Sequence, residues 1–104
     1  MAQKTITVRY VNGAIDVPNI TITEQGKNVI KWVAGTGILS IDSITGLPSP
    51  PFSMPQKLNK GFKVTDTNNN TTTTPNSYNY TIGYTLSRSK ASGRHDPQIT
   101  NEPT

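Results

Sequence analysis

The residues from 78 to 86 alternate without a fault. Tyr78, Tyr80, Ile82, Tyr84 and Leu86 fall on one face, and Asn79, Thr81, Gly83 and Thr85 on the other. A period of two sustained over this length is the mark of a strand with one buried face. The same alternation runs from residue 4 to 11, with Ile6, Val8 and Tyr10 set against Thr5, Thr7 and Arg9. No stretch of useful length shows the 3.6-residue period of a helix, so an all-β chain is predicted. Residue usage agrees: Thr and Asn are abundant, and Glu occurs only at Glu24 and Glu102. Strand formers therefore outweigh helix formers.

Turn signals divide the rest of the chain. Asn12-Gly13 is a strong hairpin signal. Ile15 and Val17 follow, with Pro18 demoting that segment to an edge or to an entry into a strand. Ile20 and Ile22 alternate with threonines, and a turn is predicted over 24–27. From Asn28 to Ala34 both faces are apolar, Val29 and Val33 against Ile30 and Trp32. That pattern predicts a central strand with Trp32 as core anchor. Gly35-Thr36-Gly37 breaks it, and Ile38 to Ile44 resumes. Phe62 and Val64 mark a short strand. About seven strands result, and the expected fold is a two-sheet antiparallel sandwich with Greek-key connections. A small closed barrel is the second choice.

A chain of 104 residues makes one domain, here 1–104. Three segments lack strand character. The loop 46–55 is rich in proline, which lacks the donor a central strand needs. The loop 66–77 is almost pure Asn and Thr, with nothing to bury. The tail 87–104 is polar, with Ile99 its one sizeable apolar residue. The 66–77 loop is expected to be an exposed connection that tolerates shortening, because loop-closure entropy changes only logarithmically with length.

The residues that carry chemistry are few. There is no cysteine, so thiolate catalysis, disulfides and cysteine-ligated metals are all excluded. His95 is the one histidine; it lies beside Asp96 in the polar tail, where an exposed side chain is expected. The carboxylates Asp16, Glu24, Asp42, Asp66, Asp96 and Glu102 are spread one to a segment, and no spacing pairs them for acid–base work. Asp66-Thr67-Asn68-Asn69-Asn70 begins like a calcium loop, but Thr71 replaces the turn glycine and Ser77 the closing Glu. No enzyme, cofactor or metal is expected. The formal charge is +4, and the basic residues are scattered rather than run together. Scattered charge reads as a solvated surface and argues against a nucleic-acid partner. No membrane span is expected, and no signal peptide, since the first residues hold no apolar h-region. These absences tilt the expected location toward the cytoplasm, although a mature form with its leader removed would read the same.

The stretch from Ile20 to Trp32, a strand, a glycine turn and a Val-x-Lys-Trp strand, resembles the first half of a cupredoxin-like domain. Tyr78-Asn79-Tyr80-Thr81-Ile82 is similar to that family's late Tyr-x-Tyr-x-Cys strand. The resemblance covers about two-fifths of the chain by these segments and implies a Greek-key sandwich. It implies no copper: Ile82 stands where the ligand Cys would be, and no His follows the Trp32 strand. A type 1 site needs a thiolate and two imidazoles. Immunoglobulin-like domains share the same strand grammar, and the two resemblances stay side by side.

With no reactive constellation, the sequence points to a non-enzymatic binding or assembly module. Its loops or edge strands would contact a protein partner or further copies of the chain. The candidate interaction residues are Phe52 and Met54 in the Pro-rich loop, Asn68, Asn69 and Asn70 in the Asn/Thr loop, and Arg88 and Arg94 in the tail. The alternative is a carbohydrate or small-ligand binder using exposed Tyr and Asn side chains. Against it, the face opposite the tyrosine stripe is the more polar, so Tyr78, Tyr80 and Tyr84 are expected inside.

Overall fold

The computed structural model describes residues 2–103. Among them it shows eleven strands and no helix. They are β1 (Gln3–Val11), β2 (Ala14–Asp16), β3 (Ile20–Ile22), β4 (Gly26–Ala34), β5 (Ile38–Thr45) and β6 (Gln56–Leu58). There follow β7 (Gly61–Asn68), β8 (Asn76–Asn79), β9 (Thr81–Leu86), β10 (Ser92–His95) and β11 (Gln98–Asn101).

Three hydrogen-bonded sheets form: β2-β1-β4-β7-β6, β10-β9-β5 and β3-β11-β8. The Asn12-Gly13 turn makes the β1–β2 hairpin as expected, both residues at positive φ. After β2 the chain leaves that sheet, adds β3 to another, and returns beside β1. β4 consequently runs parallel to β1, and β3 parallel to β11. The sheets are therefore mixed, which corrects the expectation of purely antiparallel pairing and of about seven strands. Local alternation predicts strands but carries no information on the direction in which distant ones pair.

The long alternating run at 78–86 is two strands, broken at Tyr80. The tail expected to be irregular supplies β10 and β11, broken at Asp96 and Pro97. Across both breaks Tyr80 N donates to Pro97 O at 3.1 Å, so the two three-stranded sheets meet end to end. The arrangement is sandwich-like. Ile6, Val8, Ile30, Trp32, Phe62 and Val64 from the five-stranded sheet are buried, together with Ile22, Ile41, Ile82 and Ile99 from the other two and Tyr80 between β8 and β9. Trp32 is fully buried at the centre, and its Nε1 donates to Tyr80 Oη at 2.8 Å. The two rings meet edge to face with centroids 5.5 Å apart. Burial pushes the Tyr80 hydroxyl up to about 12, against the opposing effect of the Trp32 donor.

Gly61 is placed by close approach rather than by a turn. A Cβ there would lie 1.7 Å from Trp32 O on the neighbouring strand, so β4 and β7 come together only because that position carries no side chain.

Candidate functional site

The Pro-rich loop is pinned to the sheet. Ser53 N donates to Thr65 O at 2.8 Å, Thr67 N to Pro51 O at 2.9 Å, and Thr65 N to Ser53 Oγ at 2.8 Å. Phe52 N closes a turn onto Pro48 O at 3.0 Å. Residues 51–53 thereby continue the edge begun by β6, covering the outer side of β7. Proline tolerates this position because an edge segment needs donors on one side only. Phe52 is buried, its ring edge-on to Tyr78 at 5.1 Å. Next to it Met54 points outward, 86% exposed. A hollow of about 340 Å³ lies beside the loop, lined by Pro50, Pro51, Phe52, Thr65, Thr67 and Asn69 among others.

The Asn/Thr segment is only partly a loop, which corrects the expectation for 66–77. β7 extends through Asn68 and β8 begins at Asn76, leaving 69–75 as the connection. The inward face of β7 reads Phe62, Val64, Asp66 and Asn68, so the core passes from apolar to polar along one strand. Asn28, Asp66, Asn68, Asn70 and Asn101 are all buried there.

The asparagine amides stand in for strand pairing where the sheets end. Asn68 Nδ2 donates to Ile22 O, Glu24 O and Glu102 O at 3.0–3.3 Å. Asn28 Nδ2 reaches Glu24 O and Gly26 O, and its Oδ1 accepts from Ala2 N. Asn70 Nδ2 donates to Thr74 O at 2.9 Å and Asn101 O at 3.1 Å, while its Oδ1 accepts from Thr72 N and Thr72 Oγ1. The loop is wrapped around the Asn70 side chain. Buried carbonyls left by strand ends need donors, and a carboxamide brings two donors and an acceptor.

One pair in this cluster is incompletely satisfied. Asn101 Nδ2 donates to Asp66 Oδ1 at 2.9 Å, but Asp66 Oδ2 and Asn101 Oδ1 have no partner. Burial pushes the Asp66 carboxyl above the usual range, with the Asn101 donor opposing. Asp42 behaves oppositely. Burial alone would raise it, but the Ser40 and Thr85 hydroxyls and the Lys57 ammonium outweigh that and hold it below the usual range.

Three of the seven expected interaction residues are therefore interior: Phe52 packs under its loop, and Asn68 and Asn70 bond the chain to itself. Met54, Asn69, Arg88 and Arg94 are exposed. Asn69 borders the hollow beside the Pro-rich loop. Arg88 instead borders a separate cleft of about 370 Å³, with Tyr10, Asn12, Gly37, Leu86 and Ser89. Sequence reasoning missed that cleft, because its walls come from three distant turns. It also missed Asp66 and Asn101, although the unbroken alternation from Phe62 to Asn68 was a signal for the longer strand. Of the tyrosines, Tyr80 and Tyr84 are buried and Tyr10 and Tyr78 half-buried.

Among the described residues no group of three or more His, Cys, Asp or Glu side chains is placed to hold a metal ion. Ile82, at the position the cupredoxin resemblance assigns to a ligand, is fully buried, with His95 its strand partner. Among the described residues no helix is long and apolar enough to cross a membrane. No protein-family model matches the chain, and no curated protein matches it.

The bonds of Asn70 give a specific expectation. Deleting Asn69 to Thr73 removes the side chain that holds Thr74 O and Asn101 O, so the deletion destabilises the protein rather than leaving it unchanged. Asn70→Ala alone strands those acceptors and lowers stability by about 1–3 kcal/mol. Urea unfolding followed by circular dichroism measures it. A loss below the error of the midpoint would show that water replaces the amide at no cost.

Proposed function

We propose that this protein is a non-enzymatic binding or assembly module, a two-sheet Greek-key sandwich whose contact surface is the Pro-rich loop. Met54 carries the reading: the most exposed large apolar side chain among the described residues stands on a loop held by main-chain bonds on both sides. An apolar knob on an ordered support loses little conformational freedom when a partner covers it. Methionine also adapts its shape to the surface it meets.

The edges favour the loop over strand addition. β5 ends its sheet, but it is bulged, and Lys57 Nζ occupies its Ile41 carbonyl at 3.1 Å. The outer side of β7 is covered by β6 and residues 51–53. The remaining open edges belong to short strands, a common guard against edge-to-edge pairing. The partner is a protein surface or a second copy of the chain.

Met54→Ser tests this. It is expected to leave the unfolding midpoint unchanged within about 0.5 kcal/mol, as for surface substitutions generally. Self-association measured by sedimentation equilibrium should weaken about tenfold, the equivalent of one buried apolar contact. Equal association of the two proteins, or a wild type that stays monomeric at every concentration, would sink the self-assembly form of the reading.

The small-ligand alternative rests on the cleft that the half-buried Tyr10 lines together with Asn12 and Arg88. Aromatic walls with a few polar groups are the usual make-up of a ligand site. Fluorescence titration with simple sugars, repeated on Tyr10→Ala, distinguishes it from the loop reading.

A further inference from the structure

Charge that looks scattered along the sequence is gathered by the strand register onto one face. The outward side of the five-stranded sheet carries, across a single row, Thr5 on β1, Lys31 on β4, Lys63 on β7 and Gln56 on β6. Lys31 and Lys63 are direct cross-strand partners. Like charges directly opposite each other destabilise a sheet. Neither ammonium has a hydrogen-bond or ion-pair partner among the described residues.

The described strand positions of this face hold little that offsets this. Its outward strand positions include one carboxylate, Asp16, and Arg9 is already paired with it. Of the other acids, Asp66 is buried, Asp42 takes the Ser40 and Thr85 hydroxyls, Asp96 takes Thr81, and Glu24 and Glu102 lie outside the strands of this sheet, Glu24 with an interaction of its own. Lys27 adds a further positive charge to the same face. The surface also has a hollow at this place. A depression of about 190 Å³ is bordered by Gln3, Lys4, Thr5, Val29, Lys31 and Lys63. That volume accommodates a small ion with several waters, each of which takes roughly 30 Å³.

We propose that this depression binds a tetrahedral oxyanion, a phosphate or sulfate group, bridged between Lys31 and Lys63. Each ammonium offers three rotatable donors, and bonds to an anion are charge-assisted. A bridging anion turns a repulsive cross-strand pair into two attractive contacts. The free ion and a phosphate or sulfate ester present the same chemistry. This surface is separate from the Met54 loop, and the proposal stands or falls independently of it.

The test is thermal unfolding with inorganic phosphate or sulfate, against chloride at matched ionic strength. Phosphate and sulfate are expected to raise the melting temperature beyond the chloride effect. Lys31→Gln and Lys63→Gln should each weaken phosphate binding about tenfold, the loss of one charge-assisted contact. Without phosphate, at low ionic strength, both variants should melt higher than the wild type, because the repulsion is gone. Arg94→Gln, on β10 in another sheet, should keep the full phosphate response. Glycerol phosphate separates the sources: binding equal to or tighter than phosphate marks a group carried on a larger molecule, and weaker binding marks the free ion. Identical effects of chloride and phosphate would overturn the proposal. An unchanged phosphate response in both lysine variants would overturn it equally.

Discussion

Trp32→Ala removes most of the protein's stability at room temperature. Replacing a buried aromatic by alanine costs about 3–5 kcal/mol through lost transfer free energy and the cavity left behind. Small domains have only about 5–15 kcal/mol in total, and with 32% hydrophobic residues this one belongs near the lower end. The site has little room to collapse, because Gly61 already brings β7 into contact with Trp32 O. Trp32→Phe separates packing from polarity. It keeps most of the apolar volume but removes the Nε1 donor to Tyr80 Oη. A loss of about 1–3 kcal/mol is expected for that stranded hydroxyl. Tyr80→Phe in the Trp32→Phe background should then recover part of it, since both polar partners are gone. Circular dichroism in urea measures all three, tryptophan fluorescence being lost with the residue. Unfolding midpoints within error of the wild type for Trp32→Ala would mean that this side chain does not anchor the core.

Asp66→Asn stabilises the protein at neutral pH. The Asp66 carboxyl titrates above its unfolded value of about 3.9. Its contribution is therefore fully present below that unfolded value and is lost as pH rises through the raised folded one. Once ionised, Asp66 Oδ2 is a buried acceptor without a donor, and Asn101 Oδ1 is another. In acid, a proton on Asp66 supplies the donor the pair lacks. Asparagine supplies one at every pH, while its Oδ1 still accepts from Asn101 Nδ2. The stability difference between variant and wild type should be small in acid, grow as pH climbs through the folded value, and then level off. A plateau of about 1–3 kcal/mol corresponds to one buried group left unsatisfied. Asp66→Leu is the control, since it leaves the Asn101 side chain with no partner and should be destabilised across the range. Urea midpoints of the three proteins between pH 3 and 9 decide the matter. A difference that does not vary with pH would show that Asp66 is satisfied in both protonation states.

Asp42, whose carboxyl is held below the usual range, works in the other direction. Its contribution is present above the unfolded value and fades as pH falls through the folded one. The comparison of Asp66→Asn with wild type cancels this background, which is why the difference is the quantity to measure.

The unlike fates of Met54 and Asn70 show how far the sequence reaches. Both sit in segments whose composition excludes a central strand, and both were expected at the surface. Proline near Met54 does put that residue outside, because a segment short of donors must lie at an edge. Nothing local distinguishes Asn70 from Asn69, yet one is buried and the other exposed. Its partners, Thr74 O and Asn101 O, include one from the far end of the chain.

By itself the sequence determined that the chain is all-β, where most strands lie, that Trp32 is interior, and that thiolate chemistry is absent. Those properties follow from side-chain periodicity, turn residues and composition, which act over a few neighbouring positions. Only the tertiary structure decided the parallel pairing of β1 with β4, the use of the tail as β10 and β11, and the polar end of the core. It alone set Lys31 opposite Lys63. Each of these is a matter of register between strands far apart in the chain. Register is chosen by how whole faces bury together, so no local stretch of residues contains it.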